Sequence, residues 1–286
     1  MKHFFGMVTT SASHRYTVPA IESFFAHTPR DQIDRFWLID NNADFPASVE
    51  AWPMVDVIRN PEPRSFARNL NEVLRHAGGA DVLFLNNDLI FTPEWLPPVA
   101  SVERAIVLPT SNQQVQYRQG TFDCKSSLDF EDYLGHEAAL LQIAEQHRRH
   151  TSGSQRVLIQ PYFCVRIPQR VYDAIGLLDE SFGIGGGEDV DYSIRARLAG
   201  FEVECALGSF VLHFHGKSTW RGGESAAQTE ERNRRYIEAF ARKWGVDLAR
   251  LLLVGDPEVV KTYGLDPLLA AGRFKEAIEI VLSRRV

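Results

Sequence analysis

The sequence predicts an α/β fold, a mostly parallel central sheet flanked by helices, with a small helical extension behind it. Three observations predict this. Short apolar runs recur between helical patterns, one intervening helix shows a single apolar face, and beyond Gly222 the composition turns helical and charged.

The apolar runs fall at residues 3–8, 36–39, 55–58, 82–85 and 105–108. Unbroken apolar segments of this length are how strands buried on both faces read. Between the third and fourth runs, Phe66, Leu70, Val73, Leu74 and Ala77 share one helical face, and Gly78 with Gly79 stops that helix before the next strand. This is a strand-helix-strand unit. After Pro109 the segment SNQQVQYRQGTFDCKSS is polar and reads as a loop, either for binding or as an ordinary excursion. A helix capped by Asp129 is expected to run toward His147. Residues 157–165 read as an irregular strand around Pro161, and Pro168 opens another helix.

Ala226–Trp244 reads as one long helix, followed by shorter ones punctuated by Gly245, Pro257, Gly264 and Gly272. The last, GRFKEAIEIVLSRR, is expected to be a packing helix, since a single copy cannot build a repeat array. The expected division is 1–222 for the main domain and 223–286 for the extension.

With 44% hydrophobic residues in 286, the chain can bury a sizeable core. Its formal net charge of -6 argues against a polyanionic partner, so nucleic acid is not expected. Cys124, Cys164 and Cys205 lack metal-type spacing and read as reduced thiols. The start MKHFFGMVTTSASHRY turns polar too soon for a signal peptide, and no stretch approaches the roughly 18 apolar residues of a membrane span. The expected location is cytoplasmic, with peripheral membrane contact left open.

Four segments carry chemistry. FLNNDLIF ends an apolar strand in Asn86, Asn87 and Asp88, at the carboxyl edge where open α/β sheets bind ligands. Asp88 is the expected ligand of a divalent cation, Mn or Mg, whose shell a diphosphate completes; the bland alternative is a polar turn. GGGEDVDYSIRARLAG delivers Glu188, Asp189 and Asp191 to a helix start, where the helix dipole favours ionised acid. Asp189 is the expected general base, with Glu188 beside it. Simple helix capping is the ordinary alternative, but three glycines before the acids suit the close approach of a sugar. FVLHFHGKST reads as a strand ending in His213, His215, Gly216 and Ser218, with both imidazoles on one side and either able to reach the metal. His213 is the narrower choice. Asp40 and Asn42 lie at another strand end, suited to a base or ribose, and Arg64, Arg68 and Asn69 stand on or before the following helix, within range of phosphate. Thr9, just past the first run, is grouped with them, as are Asn86 and Asn87. An Asx-rich turn and surface solvation are the alternatives for this group.

Taken in order, these segments resemble the family 2 GT-A glycosyltransferases over roughly residues 3–245. FLNNDLIF resembles a DXD-like metal motif keeping only its last acid, a variant similar to rhamnosyltransferase-like members; GGGEDVDY resembles the ED motif that supplies the base; HFHGKST resembles the late metal-binding histidine segment; RNRRYIEAFARKWG resembles the helix that closes the domain. The resemblance implies a GT-A fold and an inverting transfer from a nucleotide-diphosphate sugar to an acceptor hydroxyl on a glycan, a lipid-linked molecule or a protein, in polysaccharide biosynthesis. It also implies a divalent metal and no covalent enzyme intermediate. Two readings compete. A sugar nucleotidyltransferase would want a glycine-rich basic loop after the first strand, which TTSASHRY lacks. A non-catalytic nucleotide-sugar-binding relative would have no need for Asp88, Asp189 and a late histidine together.

Overall fold

The computed structural model describes residues 2–46, 52–217 and 224–284. β1 (His3–Thr9) leads through α1 (His14–His27) to β2 (Ile33–Asp40), β3 (Val55–Arg59), α2 (Phe66–Arg75), β4 (Asp81–Asn86), β5 (Leu89–Phe91), α3 (Leu96–Ala100) and β6 (Ala105–Ser111). Next come a ribbon of β7 (Arg118–Gln119) and β8 (Phe122–Asp123), then α4 (Phe130–Tyr133), α5 (Glu137–His150), β9 (Ser154–Arg156), β10 (Cys164–Ile167), α6 (Gln169–Ile175), α7 (Glu188–Leu198) and β11 (Glu202–His213). The helices α8 (Ala226–Trp244), α9 (Val246–Ala249), α10 (Pro257–Tyr263), α11 (Asp266–Ala270) and α12 (Phe274–Ser283) follow.

The main sheet has the order β3-β2-β1-β4-β10-β6-β11-β5, with β9 also on β11. Pairings across β3, β2, β1 and β4 are parallel, as is β6 with β11. β10 runs antiparallel to β4 and β6, and β5 and β9 run antiparallel to β11. The parallel expectation thus holds for the runs that suggested it, and the antiparallel strands come from segments with weaker patterns. The chain travels outward from β1 to β3 and returns to β4 on the other side, which leaves a crevice at the carboxyl ends of β1 and β4.

Every residue of β1 is buried, which is why HFFGMVT is apolar without alternation. α2 starts at Ser65, whose side chain accepts the Arg68 N–H, and buries Leu70, Val73 and Leu74. It lies close on β1: a Cβ at Gly6 would sit 2.7 Å from Val73 Cγ2, so only glycine admits the helix there.

Three expectations about elements are corrected. The helix capped by Asp129 is two helices, because the chain leaves helical geometry at Leu134 and turns through Gly135 at φ +76° before α5. Residues 157–163 form no strand; Pro161 has no N–H to offer a ladder, and pairing resumes at Cys164. The strand bearing the histidines ends at His213, while His215 sits beyond it at φ +57°.

The C-terminal helices set Phe240, Leu248, Leu251, Ala277, Ile278 and Val281 into one hydrophobic cluster with Phe182, Val190 and Ile194. They therefore share a core with α7, and α12 packs as expected. The expected boundary at 222/223 lies outside the described residues. Among the described residues, no helix is long and apolar enough to cross a membrane.

Candidate active site

β4 ends at Asn86, and the chain turns through Asn87 and Asp88 before re-entering the sheet as β5. β5 pairs antiparallel with β11, with Leu89 opposite His213. That register sets Asp88 beside His213, with Oδ1 and Nε2 3.4 Å apart. Asp88 is fully buried and His213 is 4% exposed. Asp88 Oδ2 accepts the Lys217 N–H at 2.9 Å, and Asn112 Oδ1 accepts the His213 N–H at 2.8 Å. Phe163 stacks on the His213 ring at 4.7 Å. Burial pushes the Asp88 carboxyl up, but His213 and the Lys217 N–H outweigh it and hold the group below the ordinary carboxylate range.

Asp88 Oδ1 and both ring nitrogens of His213 have no hydrogen-bond partner among the described residues. Buried polar atoms are rarely left so. A carboxylate oxygen and an imidazole nitrogen, unbonded and facing at this separation, fit two neighbouring positions in the shell of a divalent cation such as Mn.

The second motif begins with Gly185, Gly186 and Gly187. Gly186 and Gly187 take φ of +124° and +83°, which side chains resist. A Cβ at Gly186 would lie 2.4 Å from Cδ1 of Tyr236 on α8. At Gly186 the space expected to admit a sugar is filled by that tyrosine ring.

The three acids that follow separate. Asp191 is fully buried and meets Lys243 Nζ at 2.7 Å, Trp244 Nε1 at 2.8 Å and Arg195 Nε at 2.9 Å, so it clamps α8 onto α7. Glu188 is buried and accepts the Gly186 N–H; burial and the neighbouring Asp189 charge raise its carboxyl to about 7. Asp189 is half-buried, with Oδ1 accepting the Val190 N–H at 2.8 Å.

These two motifs open on one cleft of about 190 Å³, lined by Asn86, His213 and His215 together with Glu188, Asp189 and Arg232, and walled by Phe66, Tyr162 and Phe163. Asp88 does not itself line the cleft but lies 3.4 Å from His213, which does. His215 reaches the same cleft from its turn and not by strand alternation; its Nδ1 pairs with the Gln113 amide, and its ring lies 5.7 Å from His213 at 83°. Ser218 lies outside the described residues. Asn112 and Arg232 were not singled out in the sequence. The spacing of Arg232 one helical turn before Tyr236 was the available signal.

The expected nucleotide set divides. Asn42 is half-buried and accepts the Ser11 N–H at 3.1 Å; Arg64 is half-buried and Arg68 exposed at the start of α2. Four others are turned inward and hydrogen-bond within the protein. Thr9 Oγ1 lies 2.7 Å from Thr17 Oγ1. Asn87 Nδ2 donates to Thr17 Oγ1 at 2.8 Å and Ser13 Oγ at 2.9 Å. Asn69 Nδ2 donates to Asn41 Oδ1 at 3.1 Å. Asp40 accepts the N–H groups of Asn42, Asp44 and Phe45. The physical reason is common to them: a chain turning at a strand end leaves backbone and helix-start groups unsatisfied, and short polar side chains meet that need. His14, Asp40 and Asp44 also come close enough together to resemble a metal group, but the backbone N–H groups already occupy the Asp40 carboxylate.

Among curated proteins, the chain is 24% identical over 190 residues to the O-antigen biosynthesis protein RfbC of Myxococcus xanthus, covering 63% of this chain and 15% of that protein. The chain spans between 15% and 34% of the length of three curated relatives that it matches. Among solved structures, GalNAc-T7 with UDP, GalNAc and Mn2+ superposes with a TM-score of 0.56 at 15% identity, covering 84% of this chain and 50% of that one. S. aureus TarS 1-349 superposes with a TM-score of 0.51 at 14% identity, covering 98% of this chain and 89% of that one. These likenesses show a GT-A fold, with a curled mixed sheet and flanking helices. The family model of glycosyltransferase-like family 2 matches residues 43–238, more than half of the sequence, and the chain belongs to that family.

Proposed function

We propose that this chain is a metal-dependent, inverting glycosyltransferase that moves a sugar from a nucleotide-diphosphate donor to an acceptor hydroxyl. The observation that carries the reading is that Asp189 opens on the same cleft as His213, whose Nε2 lies 3.4 Å from Oδ1 of buried Asp88, with neither atom in a hydrogen bond.

Asp88 and His213 hold the cation, with His215 as a further ligand candidate; when bound, it supplies positive charge for the departing diphosphate. Asn42, Arg64, Arg68 and Asn86 border the nucleotide. Asp189 accepts the proton of the acceptor hydroxyl as its oxygen bonds to the anomeric carbon. The bond from that carbon to the diphosphate breaks, its electron pair leaves with the phosphate oxygen, and configuration inverts. Glu188, buried beside Asp189 in the cleft wall, holds the glycine turn through the Gly186 N–H. The UDP and Mn2+ named for GalNAc-T7 support the donor and metal. The name of RfbC, an O-antigen biosynthesis protein, supports an acceptor in polysaccharide assembly.

A thermal-shift panel of nucleoside diphosphates with and without Mn finds the base, since ligand bound to the folded state raises the melting temperature. With the selected donor, Asp189→Asn is expected to lower transfer by about 10²–10⁴-fold, the usual worth of a general base, while nucleotide affinity stays the same. Asp88→Ala is expected to abolish the Mn-dependent part of nucleotide binding in calorimetry. Full turnover by the first variant or unchanged Mn dependence in the second refutes the assignment.

A further inference from the structure

Arg232 lies in the second turn of α8, in the extension, yet it is the one basic Lys or Arg side chain lining the cleft among the described residues. Its Nε donates to both Glu224 oxygens at 3.1 Å, and Nη1 donates to the Gly185 carbonyl at 3.4 Å. The side chain is 10% exposed, and Nη2 is buried with no hydrogen-bond partner. A guanidinium presents five N–H donors in a rigid fork, and a buried donor left over in such a fork is costly unless something else takes it. The fork is also held still. Tyr236, one helical turn on, packs on Gly186, and Asp191 clamps the far end of α8 through Lys243 and Trp244.

The geometry points to Arg232 as an acceptor-binding residue, whose Nη2 donates a hydrogen bond to an uncharged oxygen of the acceptor, and to an acceptor group that carries no charge where it meets Asp189. This rests on the glycosyltransferase reading above. Two observations select an uncharged oxygen over a phosphate or carboxylate. Glu224 already matches the guanidinium charge through Nε, so Nη2 offers direction without a free positive charge. An anion at Nη2 would also lie in the same cleft as Asp189, with no second Lys or Arg lining that cleft among the described residues to offset it. Phe66 and Tyr162 supply the apolar walls on which the C–H faces of a neutral sugar pack.

The test probes the full chain, with Mn and each of UDP, GDP and dTDP, on an array of immobilised neutral, uronate-bearing and phosphate-bearing glycans. Wild-type chain is expected to be retained on neutral glycans. Arg232→Lys keeps a cation for Glu224 but has one nitrogen in place of the three of the fork and so leaves nothing at the Nη2 position; retention should weaken about five- to tenfold, the loss of one hydrogen bond to a neutral group. Its Mn–nucleotide affinity should stay unchanged. The double variant Arg232→Gln, Glu224→Gln removes both charges and should lose retention equally, which separates the hydrogen bond from a folding defect. Reduced nucleotide affinity in Arg232→Lys would move Nη2 to the diphosphate and overturn the proposal. Preferred retention on charged glycans, unchanged retention by the variants, or nucleotide binding by wild type with no glycan retained would overturn it as well. A wild-type chain that binds none of the nucleotides sinks the glycosyltransferase reading itself, and the acceptor assignment with it.

Discussion

Replacing Glu188 by Gln isolates the cost of a buried carboxyl at the start of α7. Burial and the adjoining Asp189 raise its pKa from 4.5 to about 7, against the pull of Arg232. Below about pH 4.5 the side chain is protonated in both folded and unfolded chains and contributes no penalty. Between those values the unfolded chain releases the proton while the folded one keeps it, so stability falls as pH rises, and above pH 7 the whole penalty is present. Each tenfold change in proton affinity is worth about 1.4 kcal/mol, which makes the full penalty about 3 kcal/mol. Gln keeps an oxygen for the Gly186 N–H and removes the ionisation. Urea melts of wild type and Glu188→Gln should therefore differ by about 3 kcal/mol at pH 8 in favour of the variant, or roughly 6 °C in melting temperature for a chain of this size. At pH 5 the difference should shrink below about 1 kcal/mol. A variant less stable than wild type at pH 8, or an offset equal at both pH values, would refute the reasoning.

Two further outcomes follow from the contacts between α7 and α8. Asp191→Ala strips Lys243, Trp244 and Arg195 of a fully buried carboxylate and should cost about 3–5 kcal/mol in denaturant melts, as removal of one partner of a buried ion pair does; a loss under about 1 kcal/mol would mean that α8 is held by its apolar face alone. Gly186→Ala combines φ of +124° with a Cβ 2.4 Å from the Tyr236 ring and should lower stability by more than about 2 kcal/mol. Adding Tyr236→Ala should recover the collision but not the backbone strain, and complete recovery would contradict the backbone part.

The strands of the first half were legible because burial on both faces demands unbroken apolar runs, as in β1 and β4, and the helix α2 because one face must be apolar. The same logic failed at 157–163, where apolar residues fill space beside the cleft without forming a strand, and at 129–147, where a helical composition is interrupted by a single glycine turn. The motifs around Asp88, Asp189 and His213 were legible as concentrations of polar residues at strand and helix ends.

Which of those polar residues face the cleft was a tertiary matter. Asn87 and Asp88 are neighbours of similar size, yet one is spent on Thr17 and Ser13 while the other meets His213, because the turn into β5 sends their side chains opposite ways. Asp189 and Asp191 are two residues apart on α7, and the helix carries one to the cleft and the other to Lys243 and Trp244. Sequence alone determined the class of fold, the strand and helix periods and the places where acids gather, since these follow from local chemistry. The pairing of β5 with β11 and the docking of α8 on α7 decided the partners, since a side chain's role depends on groups that only long-range packing brings within a few ångströms.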